Sequence, residues 1–414
     1  MFKSFDGLKL SVSEFEGRYI TATRDIDIGE SILKCKSYFA VTCEDFKKNS
    51  CYNCIKLIKS PPSPQQPPRC MGCQEVWYCS EQCKLENQAK HQHYECMFFK
   101  KIKTPKLIQG SNFDADAYSE IRIIVGLLSR YYQDILLNNK FITKKEEVNI
   151  EGEKEIETEE EQQFIKDTLN GVLDLVENDI NEQTNKAAKE FIDSIIDYII
   201  NLLNFTIGGG TTSSTSSSSR SNIDMNNIEQ QEYYIKELTK QIRPLVQKVR
   251  CNQFGIWTKN DKCIGMAVSP SSSYFNHSCI PNCESVRDGS DMTFKSLYPI
   301  KKGEQISISY LALDKSTKRR REYLKYGYYF HCQCPRCNSS DSDQNGELED
   351  SLDNWISKFY CHQRKCTGLY YSKVKLSQHS LNNNINTHEI HLSCSTCNDL
   401  LIVDSSFFNN KPNF

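Results

Sequence analysis

The chain has 414 residues, 38% of them hydrophobic and 25% charged, which is typical of a soluble globular protein with two or three folded units. Its formal net charge of -2 argues against binding to nucleic acid or to a membrane surface through bulk electrostatics. The N-terminal MFKSFDGLKL lacks the apolar run of a signal peptide, and no window of about 18 apolar residues predicts a membrane span. Twenty cysteines without a secretory signal favour metal sites over disulfides and predict a cytoplasmic or nuclear protein.

Short strands and then helices are predicted in chain order. Residues 5–45 alternate short apolar stretches with turn signals at Gly17 and Gly29, a pattern typical of strands. Residues 113–250 are mostly helical by pattern, because apolar residues from Phe191 to Leu203 recur on one helix face. Strand patterns return over residues 254–311. The sequence therefore predicts a protein that contains both strands and helices.

Two segments of biased composition interrupt the helical region. Residues 144–161 carry nine Glu against three Lys, which predicts a solvated or disordered insert. The stretch GGGTTSSTSSSSRSN, residues 208–222, has the composition of a flexible linker. Neither segment is expected to contribute to a folded core.

The first cysteine cluster has the spacing of zinc ligands. A CxxC turn supplies two of the four ligands of a tetrahedral zinc site, and a second pair from elsewhere completes it. Two zinc ions use eight ligands, and eight candidates are present. They are Cys51, Cys54, Cys70, Cys73, Cys79, Cys83, His91 and Cys96.

Two further cysteine clusters lie near the C-terminus. The segment FHCQCPRC supplies Cys332, Cys334 and Cys337, one ligand short of a structural site, and Cys279 in YFNHSCIPNCES is the candidate fourth ligand. Two later pairs predict a zinc-ribbon-like site in which His362 or His391 is an alternative to one cysteine. These pairs are Cys361 with Cys366 and Cys394 with Cys397. The five other cysteines are expected to be small buried hydrophobic residues. They are Cys35, Cys43, Cys251, Cys263 and Cys283.

The first cluster resembles the MYND zinc finger, a protein-interaction module that in some members binds proline-rich peptides. The resemblance implies that the ligand pairs interleave. One zinc would take Cys51, Cys54, Cys79 and Cys83, and the other Cys70, Cys73, His91 and Cys96. Four residues separate His91 from Cys96 where the family usually has three, so His93 stays open as an alternative ligand.

Two separate segments resemble the halves of a SET domain. They are GRYITATRDIDIGESI, residues 17–32, and NHSCIPN followed by IKKGEQISISY, residues 276–282 and 300–310. With a MYND finger after the first half and CxCxxC after the second, the order resembles the SET-and-MYND family of protein lysine methyltransferases. The resemblance implies an α+β protein, a β-rich SET fold split by the zinc finger and a helical region and followed by a zinc-bound post-SET segment. The implied units are residues 5–50 and 244–311 (SET), 51–96 (finger), 97–243 (helical insert), 312–340 (post-SET) and 341–414 (zinc-ribbon-like region).

The same resemblance implies transfer of a methyl group from S-adenosylmethionine to a protein lysine. An enzyme of this kind aligns donor and acceptor and excludes water, and the lysine, with a pKa of about 10.4, must first lose its proton. Tyr310, the last residue of ISISY, is the implied catalytic residue that orients the amine and stabilises the transferring methyl. Phe254 is the implied wall of the lysine channel. The implied cofactor contacts are Gly17, Arg18, Tyr19, Asn252, Ser273, Asn276, His277, Tyr310, Tyr328 and Phe330.

Three features depart from the family pattern or leave an alternative open. Tyr19 stands where the family usually has a second glycine, which would let the cofactor approach the backbone closely. The alternative function is therefore a catalytically weak scaffold, which binds protein partners through its zinc finger. The family's C-terminal helical repeat domain is not expected here, since only 77 residues follow Cys337. The basic run 318–321 is predicted on a helix after the SET core, with Tyr323 and Leu324 packing inward, and nuclear import is its alternative role.

Overall fold

The structure is a computed structural model, and it describes residues 7–14, 16–59, 66–108, 113–138, 167–177, 182–208, 228–258, 262–342, 347–376 and 389–412. The acidic segment 144–161 lies outside the described residues, and so does the Ser-rich segment 208–222 apart from Gly208.

Three antiparallel sheets of three strands each join the two SET segments. The first contains β1 (Leu8–Ser13), β2 (Gly17–Ala22) and β9 (Gln305–Ile306); the second β3 (Ser31–Lys36), β8 (Asp291–Ser296) and β7 (Cys283–Asp288); the third β4 (Phe39–Thr42), β6 (Cys263–Val268) and β5 (Gln253–Trp257). Alternation fixes the buried face of each strand. In β3, Leu33 and Cys35 are buried whereas Lys34 and Lys36 are exposed. Each sheet pairs strands from both halves, so the SET segments form one unit.

The helices between β4 and β5 form the finger and a packed insert. They are α1 (Glu81–His93), α2 (Cys96–Phe99), α3 (Pro105–Ile108), α4 (Ala115–Arg130), α5 (Leu169–Leu173), α6 (Glu182–Leu203) and α7 (Ile228–Asn252). The Asp114 carboxylate caps α4 by accepting from the Ala117 N–H at 2.8 Å. The predicted apolar face of α6 is buried, with Ile195 and Ile199 fully enclosed, and α6 packs on α4 and α7.

The segment Lys186–Gly208 is, within the described ranges, long and apolar enough to cross a membrane by length and composition. It comprises most of α6 and the π-helical turn Asn204–Gly208 that follows. Leu202 and Leu203 are fully buried inside the protein. The core helix of a soluble protein passes the same test, so this feature is weak evidence for a membrane span.

A buried arginine fastens the zinc finger to the insert. The Arg122 side chain of α4 is fully enclosed, and its Nη1 lies 3.1 Å from Glu75 Oε2 of the finger. Its Nη2 donates to the Glu75 carbonyl at 3.0 Å, and its guanidinium lies 4.6 Å from the Phe99 ring centroid. Removing one partner of such a buried pair typically costs about 3–5 kcal/mol. This contact therefore fixes the finger against the core.

The C-terminal region packs on the SET core. It contains α8 (Thr317–Gly327), α9 (Pro335–Ser342) and α10 (Glu347–Ser357), then a sheet of β10 (Tyr370–Ser372), β11 (Ile390–Cys394) and β12 (Leu400–Val403). The Tyr298 ring, from the loop between β8 and β9, lies 5.4 Å from Trp355 and 5.9 Å from Phe359 of the α10 segment. These buried aromatic rings form the second core of the protein.

Candidate active site and metal centres

The NHSC and ISISY motifs meet at a short parallel crossing. His277 pairs with Ile308 in a parallel bridge. The Ser278 N–H donates to the Ile308 carbonyl at 2.9 Å, and the Ile308 N–H donates to the Asn276 carbonyl at 3.0 Å. Two motifs about thirty positions apart in the sequence are thus held side by side.

His277 links this crossing to Tyr310. Its Nδ1 accepts the Tyr310 N–H at 3.0 Å, which requires an unprotonated Nδ1. Its Nε2 lies 3.2 Å from Cys279 Sγ. Burial lowers the pKa of His277 to about 4, so the ring is neutral at physiological pH. A neutral imidazole with its proton on Nε2 satisfies this geometry.

Tyr310 lies in an aromatic enclosure. Its hydroxyl donates to the Phe275 carbonyl at 2.8 Å, which fixes the orientation of the oxygen. The Tyr310 ring centroid is 4.8 Å from that of Tyr328 and 6.5 Å from that of Phe330. Burial raises the pKa of Tyr310 above its usual value and that of Tyr328 to about 12. Both hydroxyls therefore stay protonated.

The turn after α8 arranges these rings. Tyr329 has a φ of 63°, in the left-handed region that ends helices and that a non-glycine residue adopts at a cost. Tyr328 and Phe330, on either side of it, both face Tyr310, whereas the Tyr329 hydroxyl interacts with Arg250. The left-handed conformation of Tyr329 therefore places two aromatic residues around the Tyr310 hydroxyl.

Residues 17–19, which are predicted to contact the cofactor, lie at the start of β2 and are called the first cofactor loop below. This loop borders open space and contains an ion-paired arginine. Gly17 has a φ of 64°, and a Cβ added there would meet nothing within 4 Å. Arg18 donates from Nη1 to Asp174 Oδ2 and from Nη2 to the Asp174 carbonyl, both at 2.6 Å. Its guanidinium also lies 4.9 Å from the Tyr274 ring centroid. The loop is thus fastened to the insert by one arginine.

The other predicted cofactor residues lie in two neighbouring places. Asn276 Nδ2 donates to the Glu16 carbonyl at 3.1 Å, beside the first loop. Asn252, at the end of α7, donates from Nδ2 to the Val176 and Lys248 carbonyls at 2.9 and 2.8 Å, which commits that amide nitrogen to the insert. Ser273 Oγ donates to the Ser269 carbonyl at 3.0 Å and lies 3.5 Å from the Asn252 carbonyl.

Tyr19 and Phe254 have neighbours other than the three aromatic residues above. Tyr19 is half-buried on β2, opposite Ser11 on β1. Phe254, on β5, packs over the Arg287 guanidinium, 5.2 Å from its ring centroid. The structure thus brings Tyr310, Tyr328 and Phe330 into mutual contact and places Phe254 against a cation.

Four groups of four thiol or imidazole ligands converge, and within each group the ligand atoms lie within 4.8 Å of one another. They are Cys51, Cys54, Cys79 and Cys83; Cys70, Cys73, His91 and Cys96; Cys279, Cys332, Cys334 and Cys337; and Cys361, Cys366, Cys394 and Cys397. A tetrahedron with Zn–S bonds of about 2.3 Å has sulfur–sulfur edges of roughly 3.8 Å. The Sγ atoms of Cys70 and Cys96 are 3.7 Å apart, and those of Cys279 and Cys337 are 3.6 Å apart. All four groups are therefore compatible with tetrahedral zinc.

The second group contains His91 and not His93. His91 Nε2 lies 3.3 Å from Cys73 Sγ, and its Nδ1 lies 3.1 Å from Glu95 Oε2. A carboxylate on the second ring nitrogen is the usual partner of a metal-binding histidine. Glu95 in turn forms an ion pair with Arg130 of α4. His93 is exposed, and its ring packs on Tyr94.

The fourth group uses four cysteines and neither candidate histidine. His362 packs against Tyr370, 5.2 Å between ring centroids, and His391 Nε2 lies 3.7 Å from Glu389 Oε2. Of the five remaining cysteines, only three are buried as expected. Cys251 and Cys263 are partly exposed, and the Cys263 and Cys43 Sγ atoms face each other at 3.8 Å.

The basic run lies on α8, but the predicted inward packing is only half right. Leu324 is fully buried, whereas Tyr323 is 56% exposed. Helical spacing places these neighbours about 100° apart, so α8 buries one and exposes the other. Arg320 is buried, and Arg321 donates to the Cys332 and Cys337 carbonyls at 3.2 and 3.1 Å. Part of the run therefore supports the third cysteine group.

The structure adds three residues that the sequence did not single out. Asp174 holds Arg18, and Glu95 holds His91, as described above. Arg336 donates to the Cys279 and Leu313 carbonyls at 3.3 and 3.0 Å. Only Glu95 had a signal in the sequence, because it follows His91 by four positions on neighbouring helical turns. Asp174 and Arg336 contact residues too distant along the chain for a pattern to reveal.

Comparison with known proteins places the chain in a family. The SET domain model matches residues 17–311. A SET and MYND domain-containing protein of Dictyostelium discoideum is 73% identical over 422 residues, covering all of both chains. A second one from that organism is 57% identical over 409 residues and covers 99% of this chain and all of its own. Histone-lysine N-methyltransferase ASHR1 of Arabidopsis thaliana is 25% identical over 353 residues, or 85% of this chain and 58% of its own.

The chain belongs to the SET domain family, in the group of SET and MYND domain-containing proteins. This membership confirms the resemblance to that group and the predicted fold class.

Proposed function

We propose that the protein transfers a methyl group from S-adenosylmethionine to the side-chain amine of a lysine in a protein. The observation that carries the proposal is the partly buried Tyr310, whose hydroxyl is oriented by the Phe275 carbonyl and whose ring is enclosed by Tyr328 and Phe330 beside the NHSC crossing. The name of the A. thaliana relative, a histone-lysine N-methyltransferase, supports the same reaction.

The residues around the crossing fit the proposed cofactor. A Cβ added at Gly17 would meet nothing within 4 Å, Arg18 is half-buried, and Asn276 Nδ2 donates to the carbonyl of Glu16, the residue before Gly17. Arg18, Asn276 and His277 are the residues that would hold S-adenosylmethionine, which supplies an electrophilic sulfonium methyl when bound. The fit rests on polar groups next to Gly17, where the absence of a side chain lets a ligand approach the backbone closely.

Tyr310 and its neighbours would act on the lysine. Aromatic walls remove water, which favours the neutral amine because desolvation lowers the pKa of a lysine. The lysine would lose its proton to solvent and present a neutral nitrogen to the methyl group that S-adenosylmethionine would supply. The Tyr310 hydroxyl donates its hydrogen bond to the Phe275 carbonyl and stays protonated. Its oxygen lone pairs are therefore left to orient the amine.

We further propose that each of the four cysteine groups holds one zinc ion in a structural role. Their closed, four-ligand composition supports structural over catalytic zinc, because a catalytic site keeps one position open. The finger that holds two of these groups is also the proposed site for proline-rich partners.

Two measurements on the full chain test the proposed reaction. Calorimetric titration of S-adenosylmethionine tests cofactor binding, and a proteome-wide array of lysine peptides with methyl-labelled cofactor tests transfer. We expect both to be positive. Binding without transfer to any peptide, or no binding at all, would favour a scaffold. Tyr19→Gly restoring either property would then identify the half-buried Tyr19 as the cause.

A further inference from the structure

Helix α8 presents a basic and aromatic face to solvent. Tyr323 and Tyr326 are 56% and 58% exposed, which is uncommon for two large aromatic residues on one short helix. Arg319 precedes Tyr323 by four positions and Tyr326 by seven, so the three side chains share one helix face. Lys325 Nζ lies 5.9 Å from the Tyr326 ring centroid. The exposed face therefore combines cations with aromatic rings.

This face continues into the candidate active site. The Tyr323 ring centroid lies 6.3 Å from that of Tyr328, and the Tyr328 centroid lies 4.8 Å from that of Tyr310. Three aromatic rings thus form a row from the partly buried Tyr310 to the surface of α8. If a lysine lies beside Tyr310, the residues next to it in the substrate would be within reach of this surface.

The four cations of the basic run 318–321 on α8 face in two directions. Arg320 and Arg321 face inward, where Arg320 Nη2 donates to Thr317 Oγ1 at 2.9 Å and Arg321 holds the Cys332 carbonyl. Lys318 and Arg319 face solvent, and neither has a carboxylate partner within the described part of the chain. Structural support of the cysteine group therefore accounts for two of the four cations and leaves the outer two unexplained.

We propose that the α8 face, formed by Lys318, Arg319, Tyr323 and Tyr326, binds an acidic stretch of the substrate polypeptide next to the target lysine. The inference rests on the proposed methyl transfer and adds its substrate class. Charge complementarity supports an acidic partner, because the solvent-facing cations of α8 outnumber its one acid, Glu322, on a chain of net charge -2. Exposed tyrosines next to arginine are the side chains that most often anchor protein partners.

The test uses the full chain and an array of peptides that share one central lysine and differ only in their flanks. The flanks are rich in Asp and Glu, in Ser and Gly, or in Lys and Arg. We expect acidic-flanked peptides to have a higher kcat/KM than neutral ones, by up to about fivefold for each charge pair formed, since one exposed charge pair contributes up to about 1 kcal/mol. The preference for acidic flanks should shrink as salt rises roughly tenfold, from about 50 to about 500 mM, because salt screens interactions between exposed charges. This arm needs no variant and so does not depend on a variant folding.

Charge reversal identifies the face. Arg319→Glu should abolish or invert the acidic preference, and Tyr326→Ala should raise KM more than it changes kcat. The matched control is Lys236→Glu, an exposed lysine on α7 about 24 Å along that helix from Asn252. The control should keep the wild-type preference.

Several results would overturn the inference. One is an active enzyme with equal rates on all flanks; another is an Arg319→Glu variant that loses acidic and neutral peptides equally, which marks a structural role. A flat peptide preference with Arg319-dependent binding of a short DNA duplex would assign the face to nucleic acid instead. In these cases methyl transfer itself still stands, whereas a wild type that methylates no peptide overturns both proposals.

Discussion

The backbone N–H of Tyr310 donates to Nδ1 of His277 at 3.0 Å, so the proposed catalytic residue and a proposed cofactor residue are connected by one hydrogen bond. The parallel pairing of His277 with Ile308 holds both ends of this bond. A change at His277 is therefore expected to affect both cofactor binding and the position of Tyr310.

His277→Ala is predicted to weaken binding of S-adenosylmethionine and to destabilise the fold. It removes the acceptor of a buried N–H, and an unsatisfied buried donor costs about 1–3 kcal/mol. Calorimetry and thermal unfolding measure the two effects. His391→Ala is the matched control, because its side chain is 59% exposed. Unchanged cofactor affinity in His277→Ala would contradict the assignment of His277.

Arg18 and Asp174 are predicted to act as a pair that fastens the first cofactor loop to the insert. Asp174→Asn should weaken cofactor binding by up to about fivefold, since exposed ion pairs contribute about 0.2–1 kcal/mol and the Asp174 side chain is 65% exposed. A double-mutant cycle with Arg18→Lys measures the coupling by calorimetry. Additive effects of the two substitutions would show that the contact has no role in binding.

Metal analysis of the purified chain is predicted to find four zinc ions. Cys361→Ser should leave three and keep the SET core able to bind cofactor, because the C-terminal group lies in a separate sheet. Glu95→Gln should keep four ions and weaken binding of the one held by His91 by about 10- to 100-fold, as loss of a carboxylate behind a histidine ligand does. Two ions or fewer in the wild type would rule out the group around Cys279.

Stability is predicted to fall as pH rises toward neutrality because of Glu284. Burial raises its pKa to about 7 from an ordinary 4.5, and a hydrogen bond with Ser395 opposes the shift only in part. Since the pKa of Glu284 is higher in the folded state than in the unfolded state, its contribution to the free energy of unfolding is complete below about pH 4.5. This contribution is lost as pH rises through about 7.

Glu284→Gln should remove this dependence. The free energy of unfolding of the variant is compared with that of the wild type at each pH. This difference is expected to favour the variant by up to about 3 kcal/mol more at pH 8 than at pH 4.5, given about 1.4 kcal/mol per pKa unit. Denaturant unfolding at the two pH values measures the difference. Parallel pH profiles for the two proteins would show that Glu284 is ionised in the folded state.

The convergence of the four ligand groups was the most predictable part of the candidate site. A CxxC turn is local, so spacing alone identified its two ligands, whereas Cys279 and Cys332 meet across 53 positions and were joined by counting ligands. The choice between His91 and His93 needed the structure, because both lie on the last turn of α1. Only the fold shows which one faces the cysteines and Glu95.

Contacts between distant polar residues were not predictable. Arg18 and Asp174 are 156 positions apart, and neither belongs to a periodic pattern that would reveal the other. The Tyr323 error has a different cause. A basic run next to apolar residues indicates an amphipathic helix, but the exposed face of α8 carries aromatic rings as well as charges.

The most direct test of the proposed reaction is the single-turnover rate of Tyr310→Phe on the best lysine peptide. The substitution keeps the ring and removes the hydroxyl that the Phe275 carbonyl orients. Loss of one preorganised contact of this kind typically costs about 2.7–4 kcal/mol, so the rate should fall by roughly a hundred- to a thousandfold. Cofactor affinity should change little, and Tyr233→Phe, at an exposed position, should match the wild type. An undiminished rate in Tyr310→Phe would contradict the assignment of the active site.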